Sequence, residues 1–248
     1  ARARDCALRS VGMSKLMTRT PKRILIVVTN TPRYTTAGYR TGLWLGELTH
    51  FYDVVTEAGH DVTIASIDGG AVPLDPESLS APMLKSGGTG ERYADPDFMS
   101  LLDDTVRVAD VAAEDFDAIY LTGGHGVMFD FPTSQALGAL IADLDAQGKV
   151  VSAVCHGPAG LLAARREDGT PVIAGRKVTG FSWPEEKLAK RQDAVPFRLD
   201  EELKALGAKY SKALLPFKDN VVRDKNLITG QNPQSAQSVA KAVLKRLK

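Results

Sequence analysis

Cysteine is scarce: Cys6 and Cys155 are the only two in 248 residues. Two cysteines cannot build a disulfide framework or a CxxC pair. Such usage fits a reducing compartment, and the cytoplasm is the expectation. Long hydrophobic runs are missing, since no apolar stretch approaches the ~18 residues that read as a membrane span. Neither GxxxxGK nor GxGxxG occurs, so nucleotide binding has no motif behind it. Histidine is limited to four positions, so each can be weighed on its own.

An excess of one charge is also lacking, with a formal net charge of +1. The distribution is uneven, because seven basic residues against Asp5 crowd the first 23 positions and leave the rest of the chain net acidic. An acidic body does not offer the clustered basic face that phosphate binding needs, which argues against nucleic acid as a partner. Residues 1–21 lack the apolar core of a secretory signal and read as a basic flexible leader or extension, with Met13 and Met17 as internal starts. Residues 22–248 read as one domain.

What is present is an α/β rhythm. With 44% hydrophobic and 25% charged residues, the chain can bury a sizeable core. Short β-branched runs alternate with longer amphipathic stretches, which predicts a mostly parallel sheet with helices on both faces. The expected strands are Ile24–Thr29, Val62–Ser66, Ala118–Thr122, Val150–Val154 and Lys177–Thr179. Helices are expected over Leu43–Ala58, where Leu48, Tyr52 and Val55 recur at helical spacing, over Thr133–Ala146, and over Pro233–Leu247. Residues 67–96 carry so many glycines and prolines that an irregular insertion with one short helix is expected. Asn220–Arg223 and Asn226–Thr229 read as a terminal hairpin or adjoining edge strands before the last helix.

The most informative stretch runs from Val150 to Gly160. A buried strand leads into Cys155, flanked at both second neighbours by Ala153 and Gly157, and then into a helical start holding Pro158. This is the setting of a nucleophile elbow, where a tight turn tolerates only small flanking side chains. At a helix start, free N–H groups and the macrodipole stabilise an anion, so the Cys155 thiol is expected to ionise near neutral pH. A buried structural cysteine is the bland alternative. A second turn, Thr122-Gly123-Gly124-His125-Gly126, would lie at the same carboxyl edge of a parallel sheet, where backbone amides can point at one oxygen. Glu47, on the first helix, has no local reason to be acidic; alone it would read as a surface residue.

The set Gly42…Glu47, Ala65-Ser66…Gly69-Gly70…Pro73-Leu74-Asp75-Pro76, Gly123-Gly124-His125-Gly126, Ala153-Val154-Cys155-His156-Gly157-Pro158 and Thr229-Gly230-Gln231-Asn232-Pro233 resembles the ThiJ/PfpI superfamily. Within it, the likeness is to the glutathione-independent glyoxalase branch that includes heat-shock chaperone-like members. It spans about residues 22–248. The resemblance implies a flavodoxin-like sheet of the class I glutamine amidotransferase type, and a homodimer. It implies Cys155 as nucleophile, Glu47 as the carboxyl that hydrogen-bonds the sulfur and trades protons, and His156 as a triad histidine that turns away from the elbow toward an acid. That acid is Glu186 by spacing, with adjacent Glu185 the alternative. The amides of Gly124 and His156 would form an oxyanion hole, and His125 would line the pocket mouth or pack its loop. The implied substrate is a small 2-oxoaldehyde such as methylglyoxal, with no cofactor and no metal; deglycation and chaperone holding rank second.

Rival readings are a redox-sensing or stress chaperone protein without turnover, and a cysteine peptidase or amidase, which Glu47 suits less well. A glutaminase would share the fold but has no synthetase domain beside it. His50, three residues after Glu47, has metal-ligand spacing without a third ligand and reads as structural. His60 reads as solvated. Trp44, Phe129, Phe131 and Trp183 are candidate pocket walls, with core or interface packing as the default.

Overall fold

The structure, a computed structural model, describes residues 20–248. The basic arm expected at 1–21, and Cys6 with it, lies outside the described residues apart from its last two positions. Nine strands follow in order: β1 (Arg23–Val28), β2 (Asp61–Ser66), β3 (Val106–Arg107), β4 (Ala118–Leu121), β5 (Val150–Val154), β6 (Lys177–Val178), β7 (Lys209–Tyr210), β8 (Val221–Asp224) and β9 (Leu227–Gly230). Seven of them form one sheet in the order β3-β2-β1-β4-β5-β9-β8, parallel except for β8.

The central strands are nearly continuous apolar runs because both their faces are covered. Leu25, Val27, Ile119, Leu121, Val151 and Ala153 pack on one side, with helix Gln135–Ala146. Ile24, Ile26, Val28, Tyr120 and Val154 face the other side, beneath helices Leu45–Glu57 and Ala236–Arg246. Each such side chain, once fully buried, contributes about 1.5–3 kcal/mol. Phe51 stacks on Tyr120 with ring centroids 3.7 Å apart, and the Tyr120 hydroxyl donates to the Glu47 carbonyl at 3.0 Å. The helix that carries Glu47 is therefore fixed in height over β4.

Three expectations need correction. Lys177–Val178 is a strand, but it pairs with β7 in a separate two-stranded sheet instead of joining the main one. The insertion is more regular than its glycines and prolines suggested, with short helical segments at Pro76–Leu79, Ala81–Leu84, Thr89–Ala94 and Pro96–Ser100. Its prolines begin turns of helix instead of breaking them. Pro76 and Pro96 follow Asp75 and Asp95, whose carboxylates accept from the first free amides, and proline at the first helical position removes an N–H that has no partner anyway. Finally, the segment after Cys155 is a 3-10 helix, Gly157–Leu162, and not an α-helix.

The β-connections place the site. β1 leads outward to β2 on one side and has β4 on the other, so the chain reverses direction of travel across the sheet there. Loops at the carboxyl ends on either side of such a reversal diverge and leave a crevice. The turns after β4 and β5 both open into it.

Candidate active site

Cys155 sits directly after β5 with φ of +57°, a left-handed conformation that costs an L-residue roughly 1–2 kcal/mol. The turn is held from both sides, because the Cys155 amide donates to the Gly230 carbonyl at 3.0 Å and its carbonyl accepts from the Phe181 amide at 2.7 Å. Gly157 explains the small neighbour: a Cβ there would press on the Leu121 and Thr122 carbonyls. Cys155 is only 3% exposed, yet it lines a cavity of about 320 Å³ together with Trp44, Gly124, His125, His156 and Phe181. It is enclosed but reachable.

Around that sulfur the structure brings together every residue expected at the site. His156 Nδ1 lies 3.3 Å from Cys155 Sγ, and His156 Nε2 lies 2.8 Å from Glu186 Oε2. The imidazole thus faces both groups and does not turn away from the elbow as expected. Glu186 Oε1 meets His125 Nε2, also at 2.8 Å, so one carboxylate serves two histidines. Burial alone would raise the Glu186 pKa, but the two imidazoles more than offset it and hold the group far below the usual carboxylate range. An ionised Glu186 only accepts, which puts a proton on Nε2 of each histidine and leaves His156 Nδ1 as a bare acceptor toward the thiol. Burial, with His125 nearby, keeps the His156 pKa below its ordinary value, so the ring is neutral at pH 7.

Glu185, the other acid of the pair, has a different place. It accepts from Ser182, Gln231, Asn232 and the Phe217 amide at 2.6 to 2.9 Å, and it closes a capping box on helix Trp183–Leu188. It is a buried tie between segments, remote from His156 in function though adjacent to Glu186 in sequence.

Glu47 is completely buried. One carboxyl oxygen accepts from the Gly123 amide at 2.7 Å. The other has no hydrogen-bond partner, and the carboxyl as a whole interacts with the Cys155 side chain. Burial dominates and pushes this carboxyl up to about 8, so it is an acid at neutral pH. The thiol is also raised well above its ordinary value, by burial first and then by Glu47. This corrects the expectation of a helix-stabilised thiolate. A single short 3-10 turn cannot offset removal of sulfur from water, and the resting pair is thiol beside carboxylic acid.

The remaining candidates separate clearly. Trp44 walls the cavity, whereas Phe131 is core and neither Phe129 nor Trp183 lines the site. His50 contacts the Ser86 carbonyl and the Thr89 hydroxyl, and so anchors the insertion. His60 accepts from the Lys22 amide and is half-buried, not solvated. Among the described residues, His125, His156 and Glu186 offer ligand atoms within 4.8 Å of one another, a set able to hold a divalent ion. In this arrangement those atoms are engaged with each other through the two 2.8 Å hydrogen bonds.

A profile of the DJ-1/PfpI family matches residues 42–246. The chain belongs to that family. Among DJ-1/PfpI relatives, the glutathione-independent glyoxalase HSP31 of Saccharomyces cerevisiae is 30% identical over 237 residues, covering 92% of this chain and 99% of its own. The probable glutathione-independent glyoxalase hsp3103 of Schizosaccharomyces pombe is 31% identical over 240 residues, covering 85% and 92%. The crystal structure of glyoxalase III from Candida albicans superposes with a TM-score of 0.84 at 28% identity over 91% of this chain and 97% of that one. The structure of Rapid Encystment Protein from Francisella tularensis gives 0.87 at 36% identity, covering 92% and 99%. Residues of this DJ-1/PfpI site that sequence reasoning missed are Met83, Phe217 and Gln234 along the cavity; it names Glu185 only as an alternative partner for His156 and does not foresee its ties to Gln231 and Asn232. The Gln231-Asn232 pair stood within a quoted motif, but its partner was not readable from spacing.

Proposed function

We propose that this chain is a glutathione-independent glyoxalase that converts methylglyoxal and related 2-oxoaldehydes to 2-hydroxy acids on Cys155. The observation that carries the reading is His156 standing between the sulfur and Glu186, with the protonated Glu47 on the sulfur's other side.

In this mechanism His156 Nδ1 takes the thiol proton as sulfur adds to the aldehyde carbon, and Glu47 protonates the aldehyde oxygen to give a hemithioacetal. The amides of Gly124 and His156 hold that oxygen during addition. Glu47, now a carboxylate, removes the C1 hydrogen, while the imidazolium protonates the C2 oxygen, giving an enediol. Glu47 returns its proton to C2 as His156 accepts the proton of the C1 hydroxyl, which leaves a thioester. Water, deprotonated by Glu47, cleaves the thioester, and the imidazolium restores the thiol. One carbon is oxidised and its neighbour reduced, so the sequence is redox-neutral.

The test is conversion of methylglyoxal to lactate without glutathione, by the wild type and by Cys155→Ala and Glu47→Gln. Loss in both variants is expected; turnover surviving in either one removes its residue from the mechanism. Among the described residues no helix is long and apolar enough to cross a membrane. The proposal extends to a cytoplasmic homodimer on the strength of family membership, and light scattering in solution tests the dimer.

A further inference from the structure

The cavity at Cys155 is larger and less polar than methylglyoxal requires. At roughly 30 Å³ for a water-sized group, its volume of about 320 Å³ accepts about ten such groups. Methylglyoxal, whose bonded atoms pack more closely than separate waters, fills less than half of that, and an aryl 2-oxoaldehyde fits within it. Much of the lining is apolar: Trp44, Met83, Phe181 and Phe217 contribute to it alongside Gly124, His125 and His156, with Phe181 against the His156 ring (centroids 4.4 Å apart) and Phe217 next to Phe181 (6.0 Å). A side chamber of about 70 Å³ opens behind Trp44 and Met83 and shares Pro233 and Gln234 with the main cavity.

The charge pattern is as informative as the size. No lysine or arginine lines the cavity among the described residues. The charged group at its rim, Glu77, forms an ion pair with Arg191, and the inner carboxylate, Glu186, is held by two histidines. A substrate bearing its own carboxylate would find no lysine or arginine in the cavity wall, and the cation at the rim, Arg191, is already paired with Glu77. Removing such a charge from water without a partner is costly.

Resting on the glyoxalase reading above, we infer that the preferred substrates are neutral 2-oxoaldehydes with a bulky apolar substituent, aryl or branched alkyl, seated between Trp44, Met83, Phe181 and Phe217. The dicarbonyl end then lies at Cys155, and the substituent points toward the insertion and the Phe217 loop. A single methylene gained or lost in an apolar pocket changes kcat/KM by roughly 10-fold or more.

The experiment compares kcat/KM for methylglyoxal, isopropylglyoxal, phenylglyoxal and 4,5-dioxopentanoate, a 2-oxoaldehyde that carries a separate carboxylate, without glutathione, in the wild type and in Met83→Trp, which narrows the apolar part of the cavity. The expected result is at least about 10-fold preference for isopropylglyoxal and phenylglyoxal over methylglyoxal, 4,5-dioxopentanoate the poorest substrate, and a fall in the bulky-to-small ratio in Met83→Trp. Methylglyoxal turned over as well as the bulky aldehydes, or a ratio that Met83→Trp leaves unmoved, overturns the inference while leaving the glyoxalase reading intact. Efficient use of 4,5-dioxopentanoate overturns its charge argument in the same way. Failure to turn over any of the aldehydes overturns both.

Discussion

Nδ1 of His156 lies 3.3 Å from the sulfur of Cys155, its immediate neighbour in the chain. Adjacent residues seldom present side chains to each other, and here the left-handed backbone at Cys155 makes it happen. The contact lets a neutral imidazole deprotonate a thiol that burial keeps un-ionised. The pH profile follows from the two shifted groups. Activity needs neutral His156, whose pKa lies below its ordinary value, and protonated Glu47, pushed up to about 8. We expect kcat/KM for methylglyoxal to be flat from mildly acidic pH up to about 8 and to decline above it. A rate that instead climbs through pH 9, as a free thiol titrates, contradicts this assignment.

Glu47 also sets a stability prediction. In the folded chain it keeps its proton up to about 8, while the unfolded chain releases it near 4.5. The folded state therefore binds more protons across this window, and stability falls as pH rises through it, by at most about 1.4 kcal/mol per pH unit. Glu47→Gln cannot suffer that loss. Its thermal midpoint should exceed that of the wild type by more at pH 8.5 than at pH 5, even as turnover disappears. Glu186 titrates alike in both proteins and drops out of the difference. Equal gains at the two pH values would show that Glu47 is not held protonated.

Glu185 and Glu186 should fail in different ways. Glu186→Gln removes the carboxylate that fixes both histidines, and we expect kcat to drop by about 10²–10⁴-fold, together with a loss of stability at pH 7 that fades in acid because the carboxyl is held below its ordinary range; Glu185→Gln should instead keep its turnover while folded. Glu185→Gln weakens charge-assisted bonds to Ser182, Gln231, Asn232 and the Phe217 amide, and should cost about 2–4 kcal/mol in urea unfolding. Kinetics and denaturation of the two variants side by side check the assignment; matching profiles would refute it.

Gly157→Val tests the elbow itself. The new side chain meets the Leu121 and Thr122 carbonyls, which belong to the sheet and its Gly123 turn and cannot move aside cheaply. Overpacking of this kind costs about 1–3 kcal/mol, and the turn should relax by shifting the sulfur. Reduced stability with lost turnover is expected, and a variant that keeps full activity argues against a tightly constrained elbow.

The sheet was legible because its strands are buried on both faces, so Ile24–Val28, Ala118–Leu121 and Val150–Val154 stand out as unbroken apolar runs. The elbow was legible for a related reason: a cysteine between Ala153 and Gly157 after such a run leaves few other readings. β3 and β7, at two residues each, carry too little pattern to detect. The insertion misled because proline breaks a helix in its interior but starts one at its first turn, and only the capping by Asp75 and Asp95 distinguishes the two. The protonation of the site was not legible at all. Burial of Cys155 and Glu47 depends on segments far apart in sequence, and it outweighs the local field of one helical turn.

Cys155, His156 and Gly124 sit at the carboxyl edge of the sheet, Glu47 on its first helix and Glu186 on helix Trp183–Leu188, whereas Met83 and Phe217 belong to segments outside the sheet. Appetite and reactivity are thus written in separate parts of the molecule. Breeding the loops for other aldehydes should leave the engine beneath them running.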